Sequence, residues 1–173
     1  MSSYVALLRG VNVGGKHPLP MATLKRVFGD AGFDDIQTFI QSGNVLFSSP
    51  EEPEAPALES ALERECGFAI PIVIRTATTL GSIAASNPFA DLDQTKLHVA
   101  FMAEKPSSQA VDACDAARFL PERFAFAGSD LYLFLPHGMA RTKLPRYLAR
   151  QVGVEMTVRN WNTVVALASM ARP

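Results

Sequence analysis

The residues best suited to chemistry stand near the start of the chain. Gly10, Gly15 and Lys16 reproduce the Gly-x-x-x-x-Gly-Lys spacing of a phosphate-cradling loop, directly after an apolar, strand-like run. Such a loop aims backbone amides and the N-terminus of the next helix at phosphate oxygens, and a hydroxyl after the lysine reaches a magnesium ion. Here that position holds His17, with Pro18 and Pro20 behind it. Pro18 disfavours helical geometry at His17, so the helix starts several residues late. The pattern therefore does not support a nucleoside-triphosphatase site. Two readings stay open: a glycine-rich turn, or a weaker anion site built from the loop's amides and Lys16.

A second group, Gln41, Ser42 and Asn44, sits in a Ser-Gly-Asn stretch with hairpin chemistry. If the first and third strands are neighbours, the end of the first strand meets this hairpin. Arg9, Asn12, Gly14, Gly15 and Lys16 are then expected beside Gln41, Ser42 and Asn44. The cluster either holds a polar ligand or satisfies its own turn, with Arg9 paired to a carboxylate. The third group is Arg159-Asn160-Trp161, at a strand-to-helix junction. Asn160 or Asn162 suits a helix N-cap and Trp161 a hydrophobic staple, or the segment offers a stacking platform beside a cation.

Other catalytic patterns are missing: there is no Gly-x-Ser-x-Gly elbow, no His-x-x-x-His and no paired-cysteine spacing. His17, His98 and His137 fall on separate predicted elements. No metal, cofactor or reaction is expected from these residues. Tyr4 and Phe47 occupy the strands that carry stacking aromatics in RNA-recognition modules, without the rest of that motif.

The elements that must position these groups follow from periodicity. Tyr4–Arg9 reads as a buried strand, Met21–Ala31 as a helix stopped by Gly32, Ile36–Ile40 and Asn44–Ser48 as strands, Ala57–Cys66 as a helix stopped by Gly67, and Ile70–Thr76 as a strand. After a connecting helix over 78–86 the order returns: a strand over 97–102, a helix over 107–117, strands over 124–127 and 131–135, a helix over 145–152, a strand over 157–159 and a terminal helix over 163–171. The predicted fold is α+β, two tandem ferredoxin-like (β-α-β-β-α-β) subdomains with a C-terminal helix. Residues 1–76 form the first subdomain, 77–96 a connector and 97–173 the second.

Composition sets further bounds. With 173 residues and 48% hydrophobic side chains the chain can build real cores, and no apolar stretch approaches the roughly 20 residues that span a bilayer. No signal segment opens it, so a cytoplasmic protein is expected, with Cys66 and Cys114 as reduced thiols. Net charge is −1, but unevenly spread: residues 139–173 hold Arg141, Lys143, Arg146, Arg150, Arg159 and Arg172 against Glu155 alone.

Three motifs carry a resemblance. Tyr4-Val5-Ala6-Leu7-Leu8-Arg9-Gly10-Val11-Asn12-Val13-Gly14-Gly15-Lys16, then Ile40-Gln41-Ser42-Gly43-Asn44-Val45-Leu46-Phe47, and finally Thr157-Val158-Arg159-Asn160-Trp161-Asn162-Thr163-Val164, are similar to the signatures of the bacterial domain-of-unknown-function family 1697. The resemblance implies a bacterial cytosolic protein of two α+β subdomains and carries no catalytic residue with it. The chain departs from that pattern at Ala140, usually glycine, and at Ala166, usually lysine.

The expected function is binding of a small phosphate- or carboxylate-bearing ligand at the edge formed by Arg9 to Lys16 and Gln41 to Asn44. The alternatives are nucleic-acid binding through the basic C-terminal segment and a homodimer or partner-docking role through a sheet edge. Thr157–Arg159 is the least guarded of those edges.

Overall fold

The computed structural model describes residues 1–171. Among them, eight strands form two four-stranded antiparallel sheets, accompanied by six α-helices. The chain divides into two compact units. One contains Met1–Ile83 and the described residues from Ala166 on, the other Ala84–Val165. The connecting helix thus groups mainly with the first unit, and so does the end of the terminal helix.

The first unit runs β1 (Ser2–Leu8), α1 (Met21–Asp30), β2 (Asp34–Phe39), β3 (Asn44–Ser49), α2 (Ala55–Cys66), β4 (Ile72–Thr76) and α3 (Ala77–Ala85). Its sheet order is β2-β3-β1-β4, so β1 lies centrally between two antiparallel partners. Alternation along β1 puts Tyr4, Ala6 and Leu8 on one face, where they meet Val45 and Phe47 of β3. Leu24, Val27 and Phe28 of α1, spaced i, i+3, i+4, and Leu58 and Leu62 of α2 close that core. Phe28 packs edge-on against Phe47 at 5.2 Å, and both are fully buried. Truncating either to alanine would cost about 3–5 kcal/mol. The α2 helix takes Pro56 in its first turn and ends on Gly67, whose φ of 78° lets its N–H reach the Glu63 carbonyl.

The second unit repeats the order with β5 (Leu97–Met102), α4 (Ser108–Asp112), β6 (Arg123–Ala127), β7 (Asp130–Phe134), α5 (Leu144–Val152) and β8 (Met156–Asn160), followed by α6 (Trp161–Met170). Its sheet order, β6-β7-β5-β8, matches the first strand for strand, and β8 forms an edge. Ala100 and Met102, Leu131 and Leu133, and Leu144, Leu148 and Val152 of α5 make its core.

Several boundaries differ from expectation for local reasons. β4 starts at Ile72 because Pro71 has no N–H for the ladder; its carbonyl instead accepts the Arg9 amide at 2.9 Å. The helix expected over 107–117 stops at Asp112. Asp115 Oδ1 accepts the amides of Ala117 and Arg118, and the Asp115 amide donates to the Tyr147 hydroxyl, so a short 3-10 turn over Ala117–Phe119 replaces the last helical turns. No helix of the described residues is long and apolar enough to cross a membrane.

Candidate functional site

In the first unit the glycine-rich segment after β1 is a miniature hairpin. The Lys16 amide donates to the Val13 carbonyl at 3.0 Å and the Asn12 amide to the His17 carbonyl at 3.1 Å. Gly14 and Gly15 fill the two central turn positions with φ of 59° and 73°. A two-residue hairpin turn of this hand demands positive φ at both positions, which accounts for the paired glycines without any ligand. His17 stacks on Phe68 at 4.6 Å, and α1 begins only at Met21, so the loop's lysine does not open that helix as it does in a phosphate-cradling loop.

Asn12 holds this hairpin to the β2–β3 turn. Its Oδ1 accepts the Leu19 amide at 2.8 Å, while its Nδ2 donates to the carbonyls of Leu19 at 3.0 Å and Gln41 at 2.8 Å. Both of its amide protons and its acceptor are engaged. The Leu8 amide reaches the Gly43 carbonyl at 2.8 Å, completing the junction. Asn44 is fully buried, and its Nδ2 donates to the Phe39 carbonyl and to Ser42 Oγ. The structure thus brings Asn12 to the turn containing Gln41, Ser42 and Asn44, as the pairing of first and third strands requires, while the Arg9 amide bonds the Pro71 carbonyl. Asn12 and Asn44 hold backbone there. Gly14, Gly15 and Lys16 protrude on the small hairpin, with Lys16 exposed and free of ion pairs among the described residues.

In the second unit Arg159 is buried within β8, donating to Thr157 Oγ1 at 2.8 Å and to the Val158 carbonyl at 3.0 Å. Burial pulls its guanidinium down to about 10. Asn160 caps α6 by accepting the Thr163 amide at 2.9 Å, and Trp161, buried, sets its ring 6.5 Å from that of Tyr132. Asn160 and Trp161 border a small cleft of about 290 Å³ with Lys96, His98, Met139 and Asn162. Burial lowers the His98 pKa, partly offset by its contact with the Lys96 carbonyl, 3.3 Å from Nδ1. A carbonyl only accepts, so the ring meets it through a protonated Nδ1.

The same unit holds a larger cleft, of about 800 Å³, along the outer face of α5. Lys143, Arg146, Tyr147 and Arg150 fall three and four residues apart and so share one face, opposite buried Leu144, Leu148 and Val152. Arg118 and Phe119 come from the 3-10 turn that Asp115 creates. The Phe119 and Tyr147 rings meet at 4.7 Å, with the Arg118 guanidinium 5.7 and 5.3 Å from their centroids. The Tyr147 hydroxyl fixes its ring through the Asp115 amide, and Thr142 donates to Glu122 at 2.9 Å. No carboxylate lines the cleft, and none of Arg118, Lys143, Arg146 and Arg150 makes an ion pair among the described residues. Arg172 lies outside the described residues.

Comparison with known proteins adds a family. The one described as "Protein of unknown function (DUF1697)" matches residues 1–132. The chain belongs to that family. No curated protein matches it. Among solved structures the DUF1697 chain is similar to the conserved bacterial protein SP0830 from Streptococcus pneumoniae, at 19% identity over 99% of each chain, with a TM-score of 0.74. That likeness concerns the fold.

Within this DUF1697 protein the family match takes in the glycine hairpin, Arg118 and Phe119, and ends before α5. Sequence reading registered the excess positive charge of 139–173 but not the cleft. The signal available was the i, i+3, i+7 spacing of Lys143, Arg146 and Arg150 with Tyr147 among them. Nothing in the sequence joins Arg118 and Phe119 to that stripe.

Proposed function

We propose that the protein binds a phosphate-bearing ligand in the basic cleft of its second unit. One observation carries the reading: among the described residues, four cations without ion pairs, and no carboxylate, line a single cleft of about 800 Å³. That volume lies in the range of small-molecule sites, roughly 300–1,000 Å³. Unneutralised like charges in one concavity repel one another, and an anion relieves that repulsion. Arginine supplies planar, paired donors for phosphate oxygens, and three of the four cations are arginine. The glycine hairpin is the weaker candidate, since its Lys16 and Asn12 amides close the hairpin and the side chains of Asn12 and Asn44 hold the junction.

We take the two units as tandem ferredoxin-like modules, supported by their common β-α-β-β-α-β order and equivalent sheets. We further take the protein to be cytoplasmic, which the free thiols of Cys66 and Cys114 support.

Thermal denaturation with sodium tripolyphosphate tests the binding proposal, because a ligand of the native state raises its stability. Wild type should gain several degrees at millimolar ligand, and Arg146→Ala/Arg150→Ala should gain none. An equal shift in both proteins, or no shift in wild type, counts against it.

A further inference from the structure

The arrangement inside the basic cleft identifies the ligand more narrowly, taking the phosphate-binding reading as its premise. The cations are strung along a helix. Lys143 at the N-cap of α5 and Arg146 and Arg150 within it step along the helix axis by about 4.5 and 6 Å, in a row rather than a ring. A ring of cations suits one compact anion. A row suits a chain of anions whose charges recur at a similar interval. Aromatic rings stand inside the row: Tyr147 lies on the same helical face between Arg146 and Arg150, with Phe119 against it.

The ring pair is held still. The Tyr147 hydroxyl accepts the Asp115 amide at 3.0 Å, and Asp115 Oδ1 in turn binds the amides that form the turn bearing Arg118 and Phe119. Arg118 leans over both rings, which makes it a planar cation beside an aromatic surface. Cations that follow a backbone, interleaved with aromatic or guanidinium planes, are the equipment that binds unpaired bases. A duplex keeps its bases stacked internally and would leave the rings unused.

We propose that the cleft binds single-stranded nucleic acid, with successive phosphates on Lys143, Arg146 and Arg150 and a base stacked at Phe119, Tyr147 and Arg118. Because recognition runs through phosphates and one stacking surface, little sequence preference is expected.

Fluorescence anisotropy of the full chain with labelled ten-nucleotide single strands, ribo and deoxy, tests this beside the matching duplex and beside unlabelled tripolyphosphate as competitor. Three or four phosphate contacts on a single strand give a log–log salt slope of about −2 to −3, so affinity should fall roughly 20- to 50-fold between 50 and 200 mM salt. Arg146→Ala should weaken binding and flatten the slope by about 0.7. Phe119→Leu should weaken single-strand binding roughly tenfold with the slope unchanged. Circular dichroism and Trp161 fluorescence confirm that each variant is folded, and the wild-type slope stands without any variant. Tripolyphosphate binding with no oligonucleotide binding overturns the single-strand proposal and leaves the phosphate-binding reading standing. Duplex bound as tightly as single strand, with Phe119→Leu unchanged, overturns the stacking role and the single-strand proposal with it. Failure of every phosphate probe removes both.

Discussion

Changing Asn12 to aspartate alters the chemistry of one atom and almost nothing of the shape. The acceptor that takes the Leu19 amide at 2.8 Å is kept, while the nitrogen that donates to the Leu19 and Gln41 carbonyls, at 3.0 and 2.8 Å, becomes an oxygen facing two oxygens. Two bonds worth about 1 kcal/mol each disappear, and repulsion adds to the loss, so the variant should be destabilised by about 2–3 kcal/mol at neutral pH. The introduced carboxyl has its pKa raised, because its protonated form can donate to one of those carbonyls. The penalty is therefore complete above that pKa and shrinks as pH falls through it. Asn12→Ala loses all three bonds and leaves alanine at a φ of 54°, for about 3 kcal/mol without the pH dependence. Urea unfolding followed by far-UV circular dichroism, at pH 7 and pH 4, measures both, and hydrogen exchange at the Leu19 amide reports the lost acceptor directly. An Asn12→Asp protein within about 0.5 kcal/mol of wild type at pH 7, or equal penalties at both pH values, would refute the clamp.

Other outcomes follow from the same structure. Gly43→Ala would bring its Cβ to 2.6 Å from Val11 Cγ2 and 2.8 Å from Leu8 Cβ at a φ of +79°. It should cost at least about 2 kcal/mol in urea titration. The His98 ring, its pKa lowered by burial, should titrate below the ordinary histidine range when its Hε1 resonance is followed by NMR. The unfolded chain then binds the extra proton first, so this group takes stability away as pH drops through about 6.5, and His98→Gln should lose that component. Lys16→Ala should leave tripolyphosphate affinity within twofold of wild type by isothermal titration, since Lys16 is not among the residues that line the basic cleft.

Much of the fold was legible because its signals are local. The stripe of Leu24, Val27 and Phe28, the stop at Gly67, and the apolar run of β1 need no tertiary information. The exceptions were places where a side chain from elsewhere, or a missing proton, decided the outcome. Asp115 ended a promising helix with help from Tyr147, 32 residues on, and Pro71 shortened a strand. The site was legible in a different sense. Sequence placed Arg9, Asn12, Gly14, Gly15 and Lys16 beside Gln41, Ser42 and Asn44, and Asn12 does reach the Gln41 carbonyl, but residue type alone does not separate an asparagine that holds a ligand from one that holds a turn. Asn12 and Asn44 hold turns. The basic cleft depends on Arg118 and Phe119 meeting α5, a contact set by the turn at Asp115 rather than by any spacing.

The measurement closest to the central claim is a two-dimensional amide and arginine side-chain NMR titration of the labelled full chain with tripolyphosphate. The account predicts saturable shifts at the Nε–H groups of Arg118, Arg146 and Arg150 and at amides from Thr142 to Gln151, with Val11–Lys16 and Gln41–Asn44 unmoved. Shifts centred on the glycine hairpin and the Gln41–Asn44 turn, with α5 silent, would contradict it.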